Sequence, residues 1–367
     1  MIRSGKKKVA LGMSGGVDSS IAALLLREAG YEVIGLTMLI WDPGLKMDGR
    51  IKGNACYGPG EREDLEAARQ VAARLGIPHH AIRLAEEYNR CVLDWFRERY
   101  LEGATPNPCA ICNPTMKFGH LLDKAREQGV EFDYFATGHY VRRRPPEQPG
   151  GRYRLFKGLD PTKDQSYFLA RLDQRQLAGS LFPLGDRAKT EIKELARQAG
   201  LAELAEKSES QDFFEGEDLG VLFPADKVRP GPIVDFDGRR IGTHRGIVYY
   251  TVGQREGLGV ATGRKVYVKE IDAAANTIVL ADRDRVNSRS CRIGDLKWIS
   301  GQPPADHARL TAHLRYRHRG AFGTLSQTAE DTWKFEFEEP QFAVAPGQLA
   351  AIYQDDEVLG GGWILQP

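Results

Sequence analysis

The chain has 367 residues, of which 41% are hydrophobic and 28% are charged, a composition typical of folded globular proteins of two or three domains. Its 51 basic and 50 acidic residues give a formal net charge of +1, so overall charge does not draw it to nucleic acid or to anionic membranes. The early apolar run Ile21–Leu26 is far shorter than the roughly 20 residues of a membrane helix. No signal-peptide pattern follows the basic cluster Lys6–Lys8. These two observations predict a cytoplasmic protein with no membrane partner.

The first 200 residues alternate between strand and helix patterns. Strands are predicted at Lys8–Met13, Val33–Ile40, His80–Leu84 and Phe132–Thr137, and helices at Val17–Ala29, Glu61–Leu75, Glu86–Tyr100 and Phe118–Gln128. Repeated β-α units predict an α/β domain with a doubly wound parallel sheet. Ligands of such sheets bind beyond the carboxyl ends of the strands.

From about residue 205 onward the helical periodicity fades, and short alternating runs with frequent Gly and Pro appear. These runs are Ile233–Phe236, Arg245–Tyr250, Lys265–Ile271 and Thr277–Leu280, followed by a second β block that starts at Arg292 and continues through His307–Arg317, Trp333–Glu338 and Leu349–Tyr353. We therefore expect three domains: an α/β domain at 1–205, a small β-rich central domain at 206–285 and a C-terminal β-barrel at 286–367.

A glycine-rich loop, Gly12–Ser19 (GMSGGVDS), joins the first predicted strand to the first predicted helix. Glycines let the backbone curl around an anion, and the free N–H groups of the following helix point at the same place. No lysine follows in the manner of the kinase and GTPase phosphate loop. The S-G-G-x-D-S pattern instead resembles the PP-loop ATP pyrophosphatases, which split ATP into AMP and pyrophosphate. In that setting Asp18 is expected to organise Mg²⁺ and pyrophosphate.

A second motif, Thr105–Asn113 (TPNPCAICN), carries the C-x-x-C pair Cys109 and Cys112. A helix start beside these thiols is expected to lower their pKa and to favour the reactive thiolate. The second C-x-x-C of a zinc ribbon is missing from the sequence. Cys56 lies in a loop after the second strand, at the same sheet edge, whereas Cys91 and Cys291 fit structural roles.

Two basic stretches are candidates for a local nucleic-acid surface. The first combines Arg142–Arg144 with Arg152 and Arg154, and the second is Arg315–Arg319. Composition alone leaves open whether either stretch binds phosphate or is solvated loop charge.

Over essentially its whole length the chain resembles the bacterial tRNA-specific 2-thiouridylases. The residues that carry the resemblance are Ser14–Ser20, Thr105–Pro108, Cys112–Asn113, Lys117–Phe118, Ala136–Tyr140, Lys163–Leu169, Gly253–Arg255, Gly257–Gly259, Arg315–Tyr316 and Pro346–Gln348. The resemblance implies that ATP adenylates the C2 oxygen of the wobble uridine in the tRNA anticodon stem-loop, and that sulfur then displaces AMP to give 2-thiouridine.

The resemblance also implies a role for individual residues. Catalytic roles fall on Cys112, Cys109 and Asp18, and the ATP site on Gly12, Met13, Ser14, Gly15, Gly16, Val17, Asp18, Ser19, Met38 and Gly138. The target base would meet Asn107, Pro108 and Cys109, and the rest of the tRNA would meet His139, Lys163, Asp164, Gln165, Arg315, Tyr316 and Gln348. ATP and Mg²⁺ are the implied cofactors.

The chain departs from the family pattern at its thiols. The family commonly has Asp at the position of Cys109, and a second catalytic cysteine in the segment that matches Ser208–Phe214, where this chain has Phe213 or Phe214. One interpretation is that Cys56, Cys109 and Cys112 hold a [4Fe–4S] cluster with one iron open to sulfide. The other is that Cys109 and Cys112 act as a persulfide and disulfide pair. The sulfur donor, a protein or sulfide, stays open.

Two rival functions fit parts of the sequence. A PP-loop amide or amidine synthetase would use the phosphate loop but leave the thiol loop without a purpose. A zinc-bound RNA-binding module would use the β-barrel but lacks four plausible zinc ligands.

Overall fold

The structure is a computed structural model that describes residues 6–45, 55–206, 212–305 and 308–366. In the N-terminal part the strands are β1 (Lys8–Gly12), β2 (Glu32–Leu39), β3 (Ala55–Tyr57), β4 (His79–Arg83), β5 (Tyr134–Ala136), β6 (Val141–Arg144), β7 (Arg154–Lys157), β8 (Ser180–Leu181) and β9 (Asp212–Phe214). The helices are α1 (Val17–Glu28), α2 (Glu61–Leu75), α3 (Ala85–Tyr88), α4 (Asp94–Leu101), α5 (Pro108–Cys112), α6 (Leu121–Glu127), α7 (Gln174–Ala178), α8 (Lys189–Gln198) and α9 (Ala202–Glu206). π-Helical turns at Asn89–Leu93 and Asn113–His120 join α3 to α4 and α5 to α6.

Five of these strands form a parallel sheet in the order β4-β2-β1-β5-β8. Alternate residues of β1 face opposite sides, so Val9 and Leu11 pack in one buried cluster with Ile21 of α1 and Ile192 of α8. Ala10 packs in the other cluster, which the helices from α3 to α6 cover. The predicted α/β class and doubly wound parallel sheet are confirmed, because both faces of the sheet bury apolar side chains under helices.

A short two-stranded sheet links the start of α2 to the end of the N-terminal part. Strand β3 pairs in parallel with β9, with Ala55 opposite Asp212 and Tyr57 opposite Phe214. This register puts Cys56 level with Phe213. Of the segment in which the family carries its second cysteine, residues 208–211 lie outside the described residues.

The central part contains one four-stranded sheet. Its strands are β10 (Gly231–Val234), β11 (Arg240–His244), β12 (Tyr267–Asp272) and β13 (Thr277–Ala281), in the order β11-β10-β13-β12. The strand predicted at Arg245–Tyr250 is wrong. A single 3₁₀ turn, Ile247–Tyr249, stands there because Gly246 has a φ of 148° and breaks the extended path, while the Arg245 guanidinium stacks over the Tyr249 ring at 3.7 Å.

The C-terminal part is the predicted antiparallel barrel. Its strands are β14 (Asn287–Trp298), β15 (Leu310–His313), β16 (Ala321–Ala329), β17 (Thr332–Phe342), β18 (Leu349–Gln354) and β19 (Glu357–Ile364). They follow the order β14-β17-β16-β15-β18-β19, and β19 pairs back with β14 to close the ring around a buried core. Within the stretch His307–Arg317, which was predicted to be β structure, the structure shows the strand β15. His307 itself lies outside the described residues.

A hairpin from the N-terminal part extends the barrel sheet. Strands β6 and β7 pair with each other, and β7 pairs with β19, with Leu155 opposite Val358. The first basic stretch is used in this junction. Arg142 donates to the Lys157 carbonyl at 2.7 Å, Arg143 donates to the Leu177 carbonyl at 2.9 Å, and Arg154 pairs with Glu357. These arginines therefore join structural elements and do not form a free phosphate-binding surface.

None of the helices in the described part of the chain combines the length and the apolar character needed to cross a lipid bilayer.

Candidate active site: the phosphate loop and the thiol loop

The phosphate loop lies where the strand order changes direction, between β2 on one side of β1 and β5 on the other. The Ser14 backbone N–H donates to the Ser19 hydroxyl at 3.3 Å, and that hydroxyl donates to the Gly16 carbonyl at 3.1 Å. Gly15 has a φ of +74°, and a Cβ there would lie 2.6 Å from the Asp64 carbonyl oxygen of α2. Only glycine fits at residue 15 in this conformation of the loop.

Residues from the neighbouring strands complete this end of the sheet. Gly138 follows β5, and a Cβ on it would lie 3.1 Å from the backbone nitrogen of Ser19. Met38 lies near the carboxyl end of β2 and is half-buried. The structure thus gathers all the residues of the expected ATP site, Gly12–Ser19, Met38 and Gly138, around the carboxyl ends of three adjacent strands.

The carboxylate of Asp18 has two partners that sequence reasoning missed. The Lys189 ammonium lies 2.7 and 2.9 Å from its two oxygens, and the Tyr140 hydroxyl donates to it at 2.7 Å. Lys189 is only 6% exposed. In sequence, a lysine at the start of an amphipathic helix looks like a surface charge. The one signal that could have shown its role was the carboxylate beside an anion-binding loop, because such a carboxylate needs a nearby positive charge.

The thiol loop leads into α5. The Asn107 side chain caps this helix by accepting from the Ala110 N–H at 3.2 Å, and Pro108 occupies its first turn. One turn later the Asn113 amide, buried to 3% exposure, donates to the Cys109 carbonyl at 2.9 Å. The cap and the amide fix the backbone on both sides of the C-x-x-C pair.

Residues from both other parts of the chain hold the thiol loop at Thr105. Its N–H donates to the Pro346 carbonyl at 2.7 Å, and its carbonyl accepts from the Gln348 side chain at 2.7 Å. Its hydroxyl lies 3.4 Å from that of Thr251 in the central part. Gln348, expected to contact tRNA, thus holds the thiol loop with its side-chain amide.

Three thiols, those of Cys56, Cys109 and Cys112, lie within electrostatic reach of one another. Burial raises the pKa of the Cys112 thiol to about 12, with Lys117 opposing the rise and Cys56 adding to it. Cys56 has exposed surface but is crowded by protein on its other sides. This desolvation raises its pKa to about 12, and Cys109 adds to the rise. The expectation of lowered thiol pKa values is wrong for Cys112, because the thiol is buried and α5 is only five residues long.

The geometry of these thiols bears on the expected metal site. In the part of the chain that the structure describes, which includes all three, no group of three or more His, Cys, Asp or Glu side chains could hold one metal ion. The Cys56 Sγ lies 3.6 Å from the Phe213 carbonyl oxygen, in accord with the pairing of β3 and β9. Cys291 is buried in the barrel core, and Cys91 contacts His120 at 3.6 Å, as their structural roles predict.

The residues expected to contact tRNA divide into two groups. The Asp164 carboxylate accepts from the Gly158 N–H at 2.9 Å and from the Ser166 hydroxyl at 2.8 Å, and the Gln165 side chain accepts from the Tyr140 N–H at 3.2 Å. Both therefore support the turn that carries Lys163.

The second group faces outward or lies beside the thiol loop. Arg315 is exposed, whereas Tyr316 is half-buried and packs its ring 4.4 Å from that of Phe168. The His139 imidazole lies 2.7 Å from the Thr137 hydroxyl, and burial, with Lys117 nearby, puts its pKa well below the ordinary value. His139 is therefore neutral at physiological pH and offers hydrogen bonds or stacking rather than a positive charge.

Comparisons with known proteins cover nearly the whole chain. Three sequence families match successive segments: the tRNA methyl transferase HUP domain at 7–214, the tRNA methyl transferase PRC-barrel domain at 224–282 and the aminomethyltransferase beta-barrel domain at 288–364. The tRNA-specific 2-thiouridylase MnmA of Moorella thermoacetica is 43% identical over 362 residues, which cover 96% of this chain and 98% of the relative. The tRNA-specific 2-thiouridylase MnmA 1 of Syntrophus aciditrophicus is 44% identical over 365 residues, which cover 98% and 93%. On this similarity, the chain belongs to the tRNA-specific 2-thiouridylase family.

Proposed function

We propose that this protein is an ATP-dependent tRNA sulfurtransferase that converts the wobble uridine of tRNA to 2-thiouridine. The observation that carries the proposal is that one charge, the Lys117 ammonium, acts both on the thiols and on His139, which follows Gly138 beside the phosphate loop. Lys117 interacts with Cys56 and Cys112 on one side and with His139 on the other. His139 follows Gly138, which packs against the start of α1. Nucleotide and sulfur chemistry would therefore share one edge of the sheet.

In the proposed reaction, the loop Gly12–Ser19 binds the phosphates of ATP, and Asp18 organises Mg²⁺. The C2 oxygen of the uridine attacks the α-phosphorus, and pyrophosphate leaves. A sulfur nucleophile then adds to C2, and AMP departs with the original oxygen. The backbone N–H groups at the start of α1 stabilise the negative charge that develops on the phosphates.

We propose domain boundaries at 1–205, 206–285 and 286–367, and we assign the named tRNA contacts to groups of the first and third domains. Lys163 and Arg315 are the proposed phosphate contacts, which supply affinity without reading sequence. The target uridine must leave its stack to reach Asn107–Cys109. Tyr316, packed on Phe168, and the neutral His139 supply a stacking surface and hydrogen bonds rather than charge.

For the sulfur step we propose that Cys56, Cys109 and Cys112 act as one unit that holds a [4Fe–4S] cluster. Cluster thiolates bind different irons, so their sulfur atoms need not converge on one point. The support for the proposal is that Cys109 influences the pKa of Cys56, and Cys56 that of Cys112. When bound, the cluster would supply an open iron that carries sulfide. Burial raises the pKa of Cys56 and Cys112, and Lys117 opposes this rise. Cluster binding requires the thiolate form, so it would release the thiol protons. The alternative is a persulfide relay on Cys109 and Cys112 alone.

The reaction is tested by measuring pyrophosphate release with and without bulk tRNA from a strain that lacks 2-thiouridine, and by quantifying 2-thiouridine in the tRNA by mass spectrometry. We expect pyrophosphate release that depends on tRNA and a matching gain of 2-thiouridine. Release that depends instead on a small carboxylic acid would identify an amide synthetase. No release under any condition would identify a non-catalytic RNA-binding protein.

The sulfur step is tested on anaerobically purified protein by iron and acid-labile sulfide analysis. Changing Cys56, Cys109 or Cys112 to Ala should remove iron and thiolation together. The matched variants Cys91→Ala and Cys291→Ala should lose neither. Full thiolation by iron-free protein or by Cys56→Ala, with a persulfide donor, contradicts the cluster and supports the relay.

A further inference from the structure

Three elements of the N-terminal domain converge on one carboxylate beside the phosphate loop. Asp18 is the second residue of α1, Lys189 is the first residue of α8, and Tyr140 follows β5. The ammonium lies within 2.9 Å of both carboxylate oxygens, and the phenol hydroxyl lies 2.7 Å from one of them. The Lys189 side chain is 8% exposed and that of Asp18 is 29% exposed. The pair is thus buried on the lysine side and reaches solvent on the aspartate side.

An unneutralised carboxylate at this place would oppose the binding of a polyphosphate. The start of α1 attracts anions through its free N–H groups, and a negative charge two residues into the helix competes with any phosphate for that attraction. A buried lysine that neutralises the carboxylate removes the repulsion. Burial also makes this ion pair much less sensitive to salt than a surface pair.

The same contacts fix where the carboxylate points. The Tyr140 hydroxyl and the Lys189 ammonium both contact one carboxylate oxygen, and the ammonium also contacts the other, so these contacts restrict how Asp18 can turn. The Asp18 side chain is still 29% exposed. The Lys189 backbone is itself anchored, because its N–H donates to the Asp160 carboxylate at 3.0 Å. The Tyr140 backbone is held by Gln165, which accepts from its N–H at 3.2 Å.

We infer that Lys189 and Tyr140 are positioning residues of the ATP site, which hold and neutralise Asp18 so that the phosphate loop accepts ATP. The inference rests on the proposed ATP-binding role of the loop. It assigns to Lys189 an effect that passes through Asp18 and not through direct contact with the nucleotide.

The test is direct ATP binding by calorimetry in the presence of Mg²⁺, without tRNA or a sulfur donor. Lys189→Met should weaken ATP binding by about 10- to 100-fold, as is usual for a group that orients a ligand-binding side chain. Lys189→Arg, which keeps the charge, should recover most of the affinity. Lys193→Met, on the same helix, is the matched control and should bind ATP normally.

A double variant separates this inference from a structural role and from direct phosphate binding. In an Asp18→Asn background no carboxylate charge is left to neutralise, so adding Lys189→Met should change ATP affinity less than about threefold. An equal loss in both backgrounds, or unchanged affinity in Lys189→Met, overturns the inference. If Lys189→Met fails to fold, as judged by thermal unfolding, Tyr140→Phe replaces it, and unaltered ATP affinity in Tyr140→Phe overturns the inference. Failure of the unchanged protein to bind ATP contradicts instead the proposed function.

Discussion

The phosphate loop and the thiol loop are fixed by opposite means. The phosphate loop is held in part by hydrogen bonds within its own short sequence, from the Ser14 N–H to the Ser19 hydroxyl and from that hydroxyl to the Gly16 carbonyl. The thiol loop is fixed at Thr105 by residues almost 150 and more than 240 positions away, Thr251, Pro346 and Gln348. The phosphate loop is thus held locally, whereas the thiol loop is held by residues from other parts of the chain. Damage to the first should stay local, whereas the second should respond to changes in distant domains.

The largest expected effect follows from removing the charged and hydroxyl groups of the phosphate loop. Asp18→Ala and Ser14→Ala should each lower tRNA-dependent pyrophosphate release by more than about 100-fold, because Asp18 is proposed to organise Mg²⁺ and Ser14 to donate to a phosphate oxygen. Ser14→Ala should unfold at a temperature near that of the unchanged protein, whereas Asp18→Ala leaves the buried Lys189 ammonium without its carboxylate and should unfold at a lower temperature. The tRNA affinity of both folded variants should stay near that of the unchanged protein. Glu28→Ala, at the exposed far end of α1, is the control. Near-normal pyrophosphate release by either variant removes the loop from the mechanism.

A distant change should impair the thiol loop selectively. Gln348→Ala removes the amide that donates to the Thr105 carbonyl, and we expect about tenfold less 2-thiouridine formation, the usual cost of a misplaced positioning group. ATP affinity should not change. Gln327→Ala is the control, since Gln327 is an exposed barrel residue whose amide donates to the nearby Glu330 carbonyl at 2.8 Å. A fall in ATP affinity equal to the fall in thiolation would show that the two loops are not separate.

Removing one positive charge from the proposed tRNA surface should have a measurable effect on the salt dependence of tRNA binding. Arg315→Ala and Lys163→Ala should each reduce the slope of log affinity against log salt by about one. The control is Arg197→Ala, whose guanidinium pairs with Glu194 and Glu206. A variant that binds tRNA normally at every salt concentration but does not turn over contradicts the proposed phosphate contacts.

The smallest expected effect concerns thiol reactivity. With a pKa of about 12, Cys112 should be alkylated slowly at pH 7, and the rate should rise about tenfold per pH unit toward pH 10. Lys117→Met removes a charge that lowers this pKa, so alkylation of Cys112 should slow further. Cys291, whose raised pKa comes from burial alone, should not respond to Lys117→Met. Peptide mass spectrometry reads both sites in one sample.

The sequence predicts most accurately where chemistry is local. The bounds of α1, α2, β1 and β2 follow from apolar periodicity and glycine stops, and they lie within one residue of the predictions. The roles of Asp164 and Gln348 were not predictable, because a polar side chain that binds RNA and one that holds a backbone group look the same in sequence. Lys189 was missed for the same reason, since its burial depends on how α8 packs beside α1.

The hairpin β6–β7 shows the limit of pattern-based assignment most clearly. Its three consecutive arginines obscure the alternation expected of a strand, and its partner β19 lies near the other end of the sequence. Only tertiary structure shows that Arg142 and Arg143 bond to Asp356 and nearby carbonyls and that Arg154 pairs with Glu357, whereas Arg144 is exposed. The stretch Arg315–Arg319 also contains three arginines. There Arg315, Arg317 and Arg319 are exposed, so this stretch remains a candidate nucleic-acid surface.

That hairpin also sets an order on biosynthesis. The ribosome releases β7 long before it makes β19, so residues 158–356 are synthesised while one edge of the hairpin lacks its final neighbour. Unpaired edges of this kind invite association between nascent chains, and charged side chains on a strand are a recognised protection. We therefore expect the charges of the β6 and β7 arginines to oppose association of this edge with other chains until β19 has been synthesised.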